Sequence, residues 1–394
     1  MDSKNSVTDR FDWTLAFIIF MFFIVSLLAI SSAQTSGQYG LNFIPRQIMW
    51  YGVGAFIIAF TMFFDIDQYK KMAWYLYGFG ILLLVVLMLA PGGEGQIAEI
   101  RNGAKSWFHT PVGSIQPSEF MKTFFILAMA KVISSHNEHH LNKTIKTDFM
   151  LLGKIALIAG LPLAFIMEQP DLGSSLVFIA ITIALVVVGG ISWKILVPLM
   201  TGVAALGTSL ILMALYMPDF MADKLGVEPY KFGRIYSWLD PESYASNEGY
   251  QLLNSLKAIG SGEIFGKGFF GREVYIPEQH TDAIFTVIGE EYGFIGASLV
   301  ISLYFLLIYH LTKITLELKD QFSTYVCAGI IAMITFHVFE NIGMWLQLLP
   351  ITGIPLPFIS YGGSSLMGNF LAIGLVFSMK FHHRKYMFSS DDEE

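Results

Sequence analysis

The sequence has a single cysteine, Cys327, so no disulfide can form within the chain and no redox compartment follows from it. It lies inside an apolar run and reads as a small packing residue. Charge is also scarce: 14% of the 394 residues are charged against 54% hydrophobic, and mean hydropathy is +0.57. That is too little polar surface to clothe a soluble globule of this size, so the composition indicates an integral membrane protein. Phosphate-binding loop, dinucleotide fingerprint, His/Cys metal spacing and nucleophile elbow are all missing. A soluble nucleotide is therefore not the expected energy source, and the substrate should arrive already activated. No cofactor is expected, nothing indicates a divalent cation, and no feature points to nucleic acid. Internal repeats and low-complexity tracts are absent as well.

What the chain has in abundance is apolar runs of membrane length. A transmembrane helix needs roughly 20 apolar residues. Ten such spans are expected, near 12–32, 47–65, 72–90, 118–135, 149–167, 174–190, 193–216, 283–310, 322–349 and 361–380. The first follows Lys4 and Arg10 and ends near Ser31-Ser32-Ala33, but it is longer than a signal h-region and is kept as a span. Alternating the loops between two faces sorts the basic residues. Lys4, Arg10, Lys70, Lys71, Lys131, Lys143, Lys146, Lys154, Lys194, Lys313, Lys319, Lys380, Arg384 and Lys385 fall on one face, whereas short loops of the other receive only Arg46, Arg101 and Lys105. The positive-inside rule makes the first face cytoplasmic. The expectation is an all-α polytopic membrane protein with ten transmembrane helices, both termini cytoplasmic, and residues 1–394 forming one integral membrane domain.

One connection stands apart. Residues 217–281, between spans 7 and 8, form the longest loop, on the outer face. Pro218 opens it, and Tyr230, Tyr236, Trp238, Tyr244 and Tyr250 suit a segment lying in the membrane interface. Within it, Gly249 to Gly260 reads as an amphipathic helix with Leu252, Leu253, Leu256 and Ile259 on one face and Gly260 as a stop. Loops this long are uncommon unless functional. Other outer loops, near 91–117, 168–173 and 350–360, are rich in Gly and Pro. Residues 386–394 read as a solvated, mobile, acidic cytoplasmic tail.

Four polar stretches could carry chemistry. Pro277 to Phe285 runs an acid-bearing loop directly into an apolar span, which sets Asp282 at the water–lipid boundary. There it is either an N-cap facing the positive end of the helix dipole or a carboxylate able to meet a lipid-borne headgroup. Gln116-Pro117-Ser118-Glu119 opens the fourth span; Glu119 and Lys122 share a helical face and form either a structural ion pair or a pocket wall. Glu168 to Ser175, which includes Gln169 and Asp171, reads as a tight polar turn. Pro350 to Ser365 holds repeated prolines at membrane depth, so its backbone must be buried in protein or line a wet cavity. Its end, Gly362-Gly363-Ser364-Ser365, offers bare N–H groups to a phosphate or permits close helix packing. In the ninth span, His337, Glu340 and Asn341 share a face, and packing is the expected role of His337 and Gln347.

Taken in order, these pieces resemble the SEDS family (RodA/FtsW), polytopic peptidoglycan glycosyltransferases. The matching stretches are Gly103 to Phe108, Gln116 to Glu119, Gln169 to Gly173, Ala258 to Gly262, Pro277 to Phe285 with Ile288 to Glu291, and Pro355 to Ser365. The resemblance covers nearly the whole chain, and the wording of Gly103 to Phe108 and Pro277 to Asp282 leans toward the RodA branch, which serves cell elongation and rod shape. It implies an enzyme of the bacterial cytoplasmic membrane, active on its outer face, that polymerises lipid II and releases undecaprenyl pyrophosphate, with inversion. It implies a class B penicillin-binding protein, a transpeptidase, as partner.

The family's essential acid aligns with Asp282. One carboxylate suffices to deprotonate the attacking hydroxyl because a pyrophosphate leaves without needing a proton. An acid at a helix N-terminus should be a weak base, so proton transfer is expected to be late or cation-assisted. The candidate substrate groups are Lys122, Glu119, Lys105, Arg234, Gln169, Asp171, Lys257 and Ser364, with Lys267 as a further cation. This sequence departs from the family at three places: Ser106 stands where Arg is frequent, Glu263 where Gly is common, and Ala283 where Phe is common. The competing readings are a lipid II flippase, which would need polar groups open to both faces and related halves, and a noncatalytic scaffold for the transpeptidase.

Overall fold

The computed structural model describes residues 10–383 apart from 37–41, 94–96, 102–103, 111–112, 170, 218–219, 221–232 and 246–248. Pro218, Tyr230 and the acidic tail therefore lie outside the described residues. Among those described, long helices stand where the sequence places spans. They are α1 (Trp13–Ala33), α2 (Ile44–Thr61), α3 (Ile66–Leu89), α4 (Pro117–His139), α5 (Ile145–Met167), α6 (Leu172–Val188) and α7 (Trp193–Tyr216). After the shorter α8 (Gly233–Leu239) and α9 (Gly249–Ser261) come α10 (Ile284–Glu317), α11 (Gln321–Trp345) and α12 (Gly363–His382). Seven of them (α1, α3, α5, α7, α10, α11 and α12) are long and apolar enough to cross a membrane.

An apolar run carries no stop signal of its own, so short polar side chains set where the helices begin. Asp12 accepts from the Leu15 amide, Asp320 from Ser323, and capping boxes join Asp65 to Gln68 and Thr144 to Thr147. Packing then sorts the helices into centre and rim. In α12 and α11, 72% and 56% of the apolar window is buried, against 6% in α7, which makes no extensive contact with any other element. Between helices in lipid, close fit replaces the hydrophobic drive. A side chain added at Gly54 of α2 would strike the Phe370 ring of α12, and one at Gly374 would strike Thr61.

One expectation needs correcting. The chain is not all-α: in the segment between α3 and α4, β1 (Ala98–Arg101), β2 (Ala104–Thr110) and β3 (Gly113–Ile115) form an antiparallel sheet that pairs Ala98 with Phe108 and Phe108 with Ile115. The cause is in the sequence, because Asn102-Gly103 between β1 and β2 is the pair that two-residue hairpins favour, and strand pairing satisfies backbone groups an irregular loop would leave bare. The helix at the eighth span is broken by a kink. Gly293 has φ 62° and ψ −156° inside the 34-residue α10. The amides of Phe294 and Ile295 leave the helical ladder there and donate to the carbonyls of Glu263 (2.8 Å) and Ile264 (3.2 Å), in the turn that follows α9. A Cβ at Gly293 would stand 2.4 Å from the Gly266 nitrogen, so only glycine fits.

The described part of the long connection between α7 and α10 is docked rather than loose. Trp238 of α8 and Gln347 exchange side-chain-to-carbonyl hydrogen bonds of 2.9 and 3.1 Å. The amphipathic helix forms as expected, but its buried face is Leu252, Ser255 and Ala258, while Leu253 and Leu256 are only half-buried. Small side chains face inward because α9 lies close against α10 and α11: Ser255 Oγ donates to the Trp345 carbonyl at 3.1 Å, and Gly262 abuts the Gly289 carbonyl.

Candidate active site

Asp282 lies near the end of a run of turns, two residues before α10. It does not cap that helix, whose N-cap is Ala283 with no side-chain hydrogen bond. Instead it is gripped by its backbone. Its carbonyl accepts from Asn341 Nδ2 and from Trp345 Nε1, both at 2.7 Å, and Asn341 also donates to the Ile354 carbonyl at 2.7 Å. On the other side, Ser360 Oγ donates to the Thr281 carbonyl at 2.6 Å and the Tyr361 amide to the His280 carbonyl at 2.8 Å. The proline-rich segment before α12 is thereby stitched to the acid-bearing loop, and its Gly353, at φ +75°, lies over the carboxylate with Asp282 Oδ2 3.6 Å from where a Cβ would be.

The carboxyl itself is half-buried. The Thr281 hydroxyl lies 3.1 Å from Glu278 Oε2 and 3.3 Å from Asp282 Oδ1. Burial pushes the Asp282 carboxyl up from 3.8 to about 7 and the Glu278 charge adds to it, outweighing the amides and hydroxyl that favour the ionised form. The expectation of a weak base is thus corrected: loss of solvent dominates over the helix terminus. A carboxylate with this affinity is matched to proton abstraction near neutral pH.

Behind it, the loop is anchored by charges, of which Glu290 and Glu291 are buried and Glu273 is exposed. Lys267 bridges Glu290 (2.8 Å) and Glu273 (2.9 Å), and Glu290 also accepts the amides of Glu273 and Val274. Arg272 reaches the Ser32 carbonyl at 2.7 Å, the Gln279 side chain, and Glu291 at 3.5 Å. A second centre lies in the bundle, where Lys122 pairs with Glu119 at 2.8 Å and meets His337 Nε2 at 3.1 Å; the lysine and the glutamate are 2% and 5% exposed. His337 Nδ1 lies 3.4 Å from the Pro355 carbonyl, so this cluster touches the same segment that covers Asp282. Two cavities, of about 400 Å³ beside Lys143, Asp148 and Lys194 and about 610 Å³ beside Ala184, Ala328 and Phe336, lie elsewhere, and Asp282 lines neither.

The family profile named FTSW_RODA_SPOVE and described as "Cell cycle protein" matches residues 9–385. The chain belongs to this family. Stage V sporulation protein E of Bacillus subtilis is 33% identical over 386 residues, covering 95% of this chain and 98% of that one. The peptidoglycan glycosyltransferase MrdB of Escherichia coli is 30% identical over 389 residues, covering 97% of each. The crystal structure of the rod shape determining protein RodA of Thermus thermophilus superposes with a TM-score of 0.68 at 25% identity, covering 95% of this chain and 98% of that one. A chain of a peptidoglycan synthase complex, studied for coordination of polymerization and crosslinking, gives 0.76 at 26% identity, covering 94% and 97%. The expected membrane-embedded glycosyltransferase of the SEDS family is thereby met.

Within this family member the other candidate residues divide into frame and periphery. Asp171 caps α6, accepting from the Ser174 amide and hydroxyl and from Gln116 Nε2 at 2.8 Å. Ser364 accepts from the Gln116 amide at 3.0 Å and donates to the Ser114 carbonyl. Gln169 is buried, and its carbonyl accepts from Ser106 Oγ at 3.4 Å. Lys105 donates to the carbonyls of Met88 and Ala90 and so closes the end of α3. Arg234 and Lys257 are exposed on α8 and α9. Asn341, Trp345, Ser360 and Arg272 were not among the candidates. Asn341 shares the polar face of α11 with His337, which was the available signal; the indole and the arginine carried none, because their partners are remote in sequence.

Proposed function

We propose that the chain polymerises lipid II into glycan strands, releasing undecaprenyl pyrophosphate, for cell elongation and rod shape. On this reading all ten long helices span the cytoplasmic membrane, both termini are cytoplasmic, and Asp282 works at the outer face beside a class B penicillin-binding protein. The observation that carries it is an acid released from capping, fixed by its backbone, and raised to about 7 by burial. Asp282 takes the proton of the acceptor 4-hydroxyl as that oxygen bonds to the donor sugar carbon. The bond from that carbon to the diphosphate oxygen breaks on the opposite side, so the centre inverts and the proton stays on Asp282. Lys122 is the cation whose contacts lead to the covering segment, while Glu119, Asp171, Gln169, Ser364 and Lys105 hold the frame.

Purified protein in liposomes given lipid II, with and without a chelator, tests this. Polymer that disappears in Asp282→Asn supports the assignment, and normal polymer from that variant removes it. Lipid scrambling without polymer would indicate a flippase, and neither activity a scaffold.

A further inference from the structure

One face of α11 meets both poles of the candidate site. His337, Asn341 and Trp345 recur every four residues, so they stack along one side of the helix about 6 Å apart. The Lys122 ammonium only donates, so His337 Nε2, 3.1 Å away, accepts, and the ring proton sits on Nδ1, toward the Pro355 carbonyl. Four residues on, Asn341 gives its amide hydrogens to two carbonyls, of Ile354 and Asp282. That fixes its orientation, since the reversed amide would press oxygen against oxygen. Trp345 adds a second donor to the Asp282 carbonyl. Asp282 precedes the N-cap, so this carbonyl lies outside the helical ladder and these two side chains are what hold it.

We infer that Asn341 and Trp345 are positioning residues for Asp282, that His337 is one for Lys122, and that α11 is the ruler setting the separation of acid and cation. This rests on Asp282 being the base. The interior of α11 is packed on α4, α6 and α10, so the three contacts shift together or not at all. A misplacement of about 1 Å costs on the order of a hundredfold in rate.

The test uses the full-length protein in liposomes, with initial rates measured against lipid II concentration and across neutral pH. Asn341→Leu and Trp345→Phe each leave one donor on the Asp282 carbonyl and lose about tenfold in kcat. Together they lose about a hundredfold or more, with KM within about threefold and the midpoint of the pH–rate limb displaced. His337→Gln, whose carbonyl can accept from Lys122, keeps about tenfold more activity than His337→Leu. A double variant that melts earlier yet retains wild-type kcat and pH midpoint has lost only packing, and overturns the inference. If the double variant does not fold, wild-type kcat in Trp345→Phe overturns it alone. Wild-type protein that makes no polymer overturns the polymerase reading instead, which keeps the two failures distinct.

Discussion

Asp171 and Asp282 each sit one or two residues before a long helix, a place where local sequence allows either to be an N-cap. The fold tells them apart. Asp171 spends both carboxylate oxygens on the first turn of α6 and on Gln116, as an N-cap does. Asp282 leaves α10 uncapped, is held by its carbonyl, and turns its carboxyl toward Glu278, Thr281 and Gly353. The lesson is that an acid is made available by fixing its backbone from outside, so that its side chain has no structural duty.

Substitution at each acid is the sharpest way to break that contrast. Asp282→Asn should lower polymerisation about a thousandfold while melting at or above the wild-type temperature at neutral pH, because a buried carboxylate is replaced by a neutral amide. A loss under about tenfold would return Asp282 to the class of Asp171. Lys122→Met strands the buried Glu119 and should cost about 3–5 kcal/mol of stability, part of which Glu119→Gln restores in the double variant, as read by thermal unfolding.

The pH profile sharpens the same point. Because the Asp282 carboxyl is raised, kcat/KM should climb about tenfold per pH unit up to about 7 and then level. Glu278→Gln removes a neighbouring negative charge and should move that midpoint down. Between 3.8 and about 7 the folded protein holds a proton that the unfolded chain has lost, so this group's contribution to stability declines as pH rises through that window. Asp282→Asn should lack that decline in melting temperature. Asp171→Ala should cost about 1 kcal/mol of stability and less than tenfold in rate per folded molecule. The smallest effect is expected at Glu263, a non-glycine residue held at φ +47°. Glu263→Gly should stabilise by about 0.5–1 kcal/mol, since relief of left-handed strain exceeds the entropy lost by glycine.

Much of the helical layout was legible because membrane-length apolar runs tolerate few alternatives to helix. The position of Asp282 was legible for the same reason, as the polar residue where such a run begins. Its role as cap or base was not, because that depends on Asn341 and Trp345, 59 and 63 residues away along the chain. Lys105 was legible only as a candidate substrate group within a family motif; its bonds to carbonyls at the end of α3 had no local signal. The sheet hid in a segment rich in glycine and proline, despite Asn102-Gly103. Gly293 carried no local mark among the many glycines of an apolar span, and only the approach of the turn after α9 gives it meaning.

The break at Gly293 divides α10 into two mechanical bodies. The upper piece, from Ile284 to Tyr292, is bolted to the turn that follows α9 through Lys267 and Gly268, whose amides donate to the carbonyls of Glu290 and Glu291. The ladder of helical hydrogen bonds is interrupted at this joint, so a tilt of the lower shaft would bend the helix here before it reached the upper piece. Asp282, two residues ahead of the upper piece, is therefore tied more directly to the turn after α9 than to the rest of the shaft.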